Sequence, residues 1–189
     1  MIHTWFPKSI LIEDDLCVEH LPTFENAVKK MFEDKGHFRG GMQHVNTLYS
    51  VYPHLQNHTE FKPLVDVIHE QSKFYLQQLG YTSAEFYISN MWANISYKGD
   101  YIFPHNHGGS ILGGVFYIKS DILNKIKFFN MPDDMFPTPH KYNDLNYKYC
   151  EYDCLPGRLL MFKSDFMHGT ESQPTDEKIV ISFNVKFKS

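Results

Sequence analysis

The segment Phe103-Pro104-His105-Asn106-His107-Gly108 sets two histidines at i and i+2. In an extended chain, side chains two apart project to the same side, so both imidazoles can meet one ion at roughly 2.1 Å. A third candidate, His168, follows the apolar run Leu159-Leu160-Met161-Phe162 by a short turn. Antiparallel topology can bring that turn beside the strand entry at His107. Three ligands on one face would leave the opposite coordination positions for substrate and oxygen. Ten residues beyond His168, Lys178 opens the last apolar run, Ile179 to Asn184. A cation at the start of a core strand, at that distance from a metal histidine, suits capture of a carboxylate whose other end chelates the ion.

The bland readings stand beside these. The chain has 11 histidines, and most histidines are surface or satisfied core residues. His105, His107 and His168 could be polar loop residues, and Lys178, after Thr175-Asp176-Glu177, an ordinary solvated lysine. What favours the chemical reading is the company these residues keep: a Pro156-Gly157 turn, the strand from Arg158, His168, then Lys178 and its strand.

Such residues need elements to hold them. Thr4 to Glu13 reads as an edge strand, because Pro7 cannot donate to a ladder. Leu16 to Phe32 has apolar residues at three-four spacing and closes at Gly36, a first helix. Met42 to Tyr52 has no clear period. Thr59 reads as the N-cap of a second helix with one broad apolar face from Phe61 to Leu79, ended by Gly80. After Gly80 the texture changes to short β-branched or aromatic runs: Ala84–Tyr97, Ser110–Ile118, Ile126–Phe129, Tyr147–Cys154, Arg158–Phe162 and Ile179–Phe187. Helices first and strands later argues for a helix-buttressed antiparallel sandwich or barrel and against alternating βαβ units. The stretch Asn130 to Asn146, with three prolines, reads as a lid, a substrate-binding insertion or a surface excursion.

Length and composition bound the partners. A chain of 189 residues suits one domain, 1–189, with 1–83 as N-terminal strand and helical buttress and 84–189 as the strand-rich part. Aromatic residues make up 16%, which favours strands. Eighteen basic against 22 acidic residues give a net charge of -4 with no basic block, so no generalised nucleic-acid surface is indicated. No run approaches about 18 apolar residues, which gives no membrane span and an expectation of a soluble, cytoplasmic protein. Cys17, Cys150 and Cys154 read as reduced thiols rather than a disulfide framework. Aromatic residues near Trp5 and Phe6 leave room for a homodimer.

Together the motifs Trp92-Ala93-Asn94, His105-Asn106-His107-Gly108, Gly113-Gly114-Val115-Phe116-Tyr117, Pro156-Gly157 through Ser164, His168, and Lys178 through Asn184 resemble the Fe(II)- and 2-oxoglutarate-dependent oxygenases. The likeness is to a compact family of bacteria and phages, and it covers roughly the last hundred residues. The resemblance implies a double-stranded β-helix (jelly roll, cupin-like) with N-terminal helices packed on one sheet. It implies that His105, His107 and His168 hold Fe(II). It also implies that 2-oxoglutarate chelates the iron and meets Lys178 with its distal carboxylate, with Asn94, Ser182 and Tyr117 as supporting donors. The expected reaction is a dioxygenation that uses O2, releases succinate and CO2 and hydroxylates a small molecule, a protein residue or a nucleobase, in the host cytoplasm if the chain is phage-encoded.

Two departures follow. The wider superfamily has a carboxylate where this chain has His107, so either three neutral ligands hold the metal or a carboxylate such as Asp165 or Asp100 replaces His107. Lys178 stands where arginine is frequent, which keeps the charge but loses the bidentate fork. Tyr97, Tyr101 and Phe103 are candidates for a substrate entrance, Trp92 for core packing, and Gly113-Gly114 for a bulge or the pocket floor. The rival functions are a three-histidine dioxygenase that uses no keto acid and a non-catalytic jelly-roll assembly or virion protein.

Overall fold

The structure is a computed structural model and describes residues 1–189 apart from 4–6, 41–42, 131–136, 144 and 189. In chain order its elements are β1 (Ile10–Glu13), α1 (Leu21–Lys35), β2 (Phe38–Gly40), β3 (Gln43–Thr47), α2 (Lys62–Gln78), β4 (Phe86–Tyr97), β5 (Ile102–His105), β6 (Leu112–Lys119), β7 (Lys125–Phe129), β8 (Tyr149–Asp153), β9 (Leu159–Lys163), β10 (His168–Thr170) and β11 (Glu177–Phe187). Short 3-10 turns, Val18–His20, Leu55–Asn57 and Thr59–Phe61, precede the two helices.

The strands run in the order β1-β9-β6-β11-β4-β3-β5-β10-β7-β8 with every named ladder antiparallel. From β4 onward the chain alternates between a sheet β9-β6-β11-β4 and a smaller one β5-β10-β7-β8, except that β7 and β8 are neighbours in the smaller sheet. That winding is the double-stranded β-helix. β1 extends the first sheet, and β3 joins the two by pairing with both β4 and β5.

Side-chain alternation assigns the two faces of the larger sheet. Phe116, Ile118, Leu159, Met161, Ile179, Ile181 and Phe183 pack with Phe24, Val28, Leu64 and Ile68 of the helices. Their neighbours Val115, Tyr117, Leu160, Phe162 and Val180 point the other way and pack with Ile126 and Phe128 of the smaller sheet. Phe24, Phe61 and Leu64 are completely buried, each worth about 1.5–3 kcal/mol of hydrophobic stabilisation. The helices therefore cover the outside of one sheet, and the space between the sheets is left for the site.

Several local expectations change. Thr59 does not cap α2; it opens a 3-10 turn, and the α-helix starts at Lys62, with Pro63 in the first turn, where its missing N–H has no partner to lose. α1 starts at Leu21 rather than Leu16, again with proline in its first turn. The aperiodic stretch from Met42 contains β3, whose pairing with β4 and β5 supplies the order its side-chain pattern lacks. Trp5 and Phe6, and residues 131–136 and 144 of the proline-rich stretch, lie outside the described residues. Among the described residues no helix is long and apolar enough to cross a membrane.

Candidate metal and keto-acid site

β5 and β10 are antiparallel neighbours in which His168 lies directly opposite His105. His107 sits two residues past the end of β5, where its backbone N–H donates to Ser164 O at 2.8 Å. One ladder and one loop hydrogen bond thus gather three imidazoles from opposite ends of the motif. Their ring centroids are 5.4 Å apart for His105 and His107, 4.4 Å for His105 and His168, and 4.9 Å for His107 and His168. One nitrogen of each lies within 4.8 Å of the others.

The second nitrogens are spoken for. His105 Nδ1 is 3.0 Å from Phe103 O, His168 Nδ1 is 2.9 Å from Phe166 O, and His107 Nδ1 is 2.6 Å from Asn184 Oδ1. Each of these partners is a carbonyl oxygen that can only accept, so each Nδ1 carries the proton and each Nε2 keeps its lone pair. Burial pushes all three pKa values down: His105 is lowered, His107 falls to about 4 with the charge of His105 adding to burial, and His168 is held well below its ordinary value. Three neutral imidazoles with free Nε2 atoms are a donor set that fits a divalent transition metal. Among the described residues no carboxylate joins this group. Asp165 is exposed. Asp100 is taken up by Arg39, at 3.0 and 2.5 Å, and by the Tyr97 N–H at 2.8 Å.

The same cavity is lined by Lys178, Asn94, Ser182 and Tyr117. Lys178 is 6% exposed and has no hydrogen bond or ion pair among the described residues. Burial holds its ammonium below the ordinary lysine value, opposed by Cys154 and Asp100. A buried charge without a hydrogen-bonded partner costs several kcal/mol, and an anion entering the cavity would offset that cost. Asn94 Nδ2 donates to Ser182 Oγ at 3.3 Å, which leaves the Ser182 O–H free to donate into the cavity. Tyr117 is less available than the sequence suggests, since its hydroxyl is engaged with the Cys154 thiol.

Three features add to the sequence reading. Trp92 is 4% exposed and packs in the core, yet it also lines the cavity with its indole Nε1 unpartnered, as is Asn94 Oδ1. Asn184 holds His107, and its signal is the period of two along β11: 178, 180, 182 and 184 share a face. Gly113 and Gly114 pair with β11 and β9 without a register shift, so they form no bulge, and Gly114 lines the cavity. They give room, since a Cβ on Gly113 would lie 2.7 Å from His107 Nδ1 and one on Gly114 would lie 2.1 Å from Phe183 Cζ. Tyr101 and Phe103 do not line the cavities. They turn outward and pack their rings on His44, while Tyr97 is exposed.

Residues 90–184, half of the chain, match the model of a family described as "Putative 2OG-Fe(II) oxygenase". No curated protein matches the chain. Among solved structures, a Pseudomonas putida prolyl-4-hydroxylase is similar with a TM-score of 0.68 at 8% identity, over 95% of this chain and 93% of that one. The viral collagen prolyl hydroxylase of Paramecium Bursaria Chlorella virus-1, solved with 2OG, gives 0.61 at 12% identity over 93% and 94%. HygX from Streptomyces hygroscopicus, solved with nickel and 2-oxoglutarate, gives 0.60 at 10% over 95% and 82%. At these identities the likeness is one of fold.

Proposed function

Because the chain belongs to the 2OG-Fe(II) oxygenase family, we propose that His105, His107 and His168 hold Fe(II) and that Lys178 anchors the distal carboxylate of 2-oxoglutarate. Together the bound iron and keto acid supply oxygen activation, one atom of O2 entering succinate as CO2 leaves and the other entering a substrate C–H bond as a hydroxyl.

The chain's own residues supply the rest. The ammonium of Lys178 meets one carboxylate, and the free Ser182 O–H is placed to donate to the same ligand. The Nδ1 contacts keep the three imidazoles turned Nε2-inward. Phe162 and Phe128 pack against His168 at 4.5 and 5.8 Å between ring centroids and keep that side of the metal seat apolar. On the other side an outer cavity lined by Tyr49, Trp92, Asn106, Gly108 and Asn184, beside His105 and His107, carries no Lys, Arg, Asp or Glu. It suits a neutral reacting group with hydrogen-bonding atoms, whether on a protein residue, a small molecule or a nucleobase.

The observation that carries this reading is the unpaired, buried Lys178 in one cavity with the three imidazoles. The test is 2-oxoglutarate binding by the metal-loaded protein. Removing one partner of a buried charge pair costs about 2–5 kcal/mol, so Lys178→Glu should weaken 2-oxoglutarate binding by at least ~30-fold while metal binding holds. Turnover without 2-oxoglutarate and indifferent to Lys178→Glu would favour the three-histidine enzyme that uses no keto acid.

A further inference from the structure

β11 presents Asn184 to the metal seat from the end opposite Lys178, with three features converging on one ring nitrogen. Asn184 Oδ1 is 2.6 Å from His107 Nδ1. Across the ladder, the residue paired with Asn184 is Gly113, whose missing Cβ leaves the space that the same Nδ1 occupies. Trp92 closes the other side, its ring centroid 5.9 Å from that of His107. His105 and His168 take their Nδ1 acceptors from backbone carbonyls two residues upstream, which any sequence would supply. His107 alone takes its acceptor from a side chain, which makes its orientation dependent on residue identity.

From this we infer that Asn184 is the positioning residue for His107. It fixes the Nδ1–H tautomer and turns Nε2 to the metal, and Gly113 on the neighbouring strand makes the seat wide enough for a ring. Asn184 and Gly113 form a cross-strand pair built for an imidazole at a position where a short carboxylate would need neither an acceptor nor the clearance. This rests on the proposed metal-binding reading, though not on the keto acid.

Co(II) titration of the otherwise metal-free protein tests it, together with imidazole 15N NMR of the metal-free state. Outer partners of metal ligands are worth about 10–100-fold in affinity. Asn184→Leu should therefore weaken Co(II) binding by about 10–100-fold and move His107 away from the pure Nδ1–H tautomer. Asn184→Asp, which keeps an acceptor oxygen in place, should retain the affinity and the tautomer. If Asn184→Leu does not fold, Asn184→Ala reads the same two quantities. Wild-type affinity and an unchanged tautomer in a folded Leu or Ala variant would overturn the inference. Wild-type protein without Co(II) affinity would overturn the metal site itself. Co(II) binding without 2-oxoglutarate binding would defeat the keto-acid reading and support the seat as a metal device in its own right.

Discussion

At the scale of single residues, the site is a division of labour between groups that have partners and groups that do not. The three Nδ1 atoms are occupied, and among the described residues the three Nε2 atoms make no hydrogen bond. Among the described residues the buried Lys178 ammonium makes no hydrogen bond or ion pair, and Ser182 keeps an O–H in reserve. Unmatched groups in a buried cavity are costly unless a ligand satisfies them. Ser182→Ala removes a donor that would meet an ionised carboxylate, a bond worth about 1.5–3 kcal/mol. It should therefore weaken 2-oxoglutarate binding by calorimetry while Co(II) affinity stays at the wild-type value. Equal loss of both would mean that Ser182 serves the fold rather than the ligand. The histidines and the lysine were legible in the sequence from the company they keep: a His-x-His pair, a Pro156-Gly157 turn and strand leading to His168, and a cation at the start of the last strand. Asn184 was not, because its importance comes from a partner 77 residues away.

At the scale of elements, the chain holds the site with strands that sequence patterns describe poorly. The long strands β4, β6 and β11 were readable from aromatic and β-branched runs. β5, β10 and β3 were not, since β5 carries Pro104, β10 is three residues long with a central glycine, and β3 is mostly polar. Two of these three carry histidines of the triad, His105 on β5 and His168 on β10. Their order comes from neighbours rather than from propensity, and the turn after β4 shows how. Asp100, buried there, would have its carboxyl pKa raised by that burial, but the Arg39 fork and the Tyr97 N–H outweigh it and hold the value below normal. A carboxyl depressed in the folded state stabilises fully above its unfolded pKa, about 3.9, and loses that contribution as pH falls through the folded value. Asp100→Asn should therefore be less stable than wild type at pH 7, and the gap in urea midpoint should narrow below about pH 4. A gap unchanged between pH 7 and pH 3 would assign no electrostatic role to the pair. Likewise Gly114→Ala drives a methyl into the Phe183 ring, and overpacking of that kind costs about 1–3 kcal/mol, which a thermal melt of the metal-free protein would read.

At the scale of the whole molecule, two helices buttress the outside of the larger sheet, and the inter-sheet space holds a second apolar cluster beside the cavity with the histidines and Lys178. The class of fold was legible from the order of textures along the chain, whereas the closure of the sheets by β3 is a long-range fact that no local pattern encodes. A site assembled from both sheets should tie them together when filled. At a ligand concentration of 100 times Kd, binding adds about 2.7 kcal/mol to stability, so saturating Co(II) and 2-oxoglutarate should raise the melting temperature by several degrees and chelation should reverse it. The most direct test of the central claim is anaerobic addition of Fe(II) and then 2-oxoglutarate, followed by visible spectroscopy. The account predicts a weak metal-to-ligand charge-transfer band in wild type that is absent from His107→Ala and from Lys178→Glu at the same concentrations. Wild-type protein that binds Fe(II) yet shows no band on addition of the keto acid would contradict it.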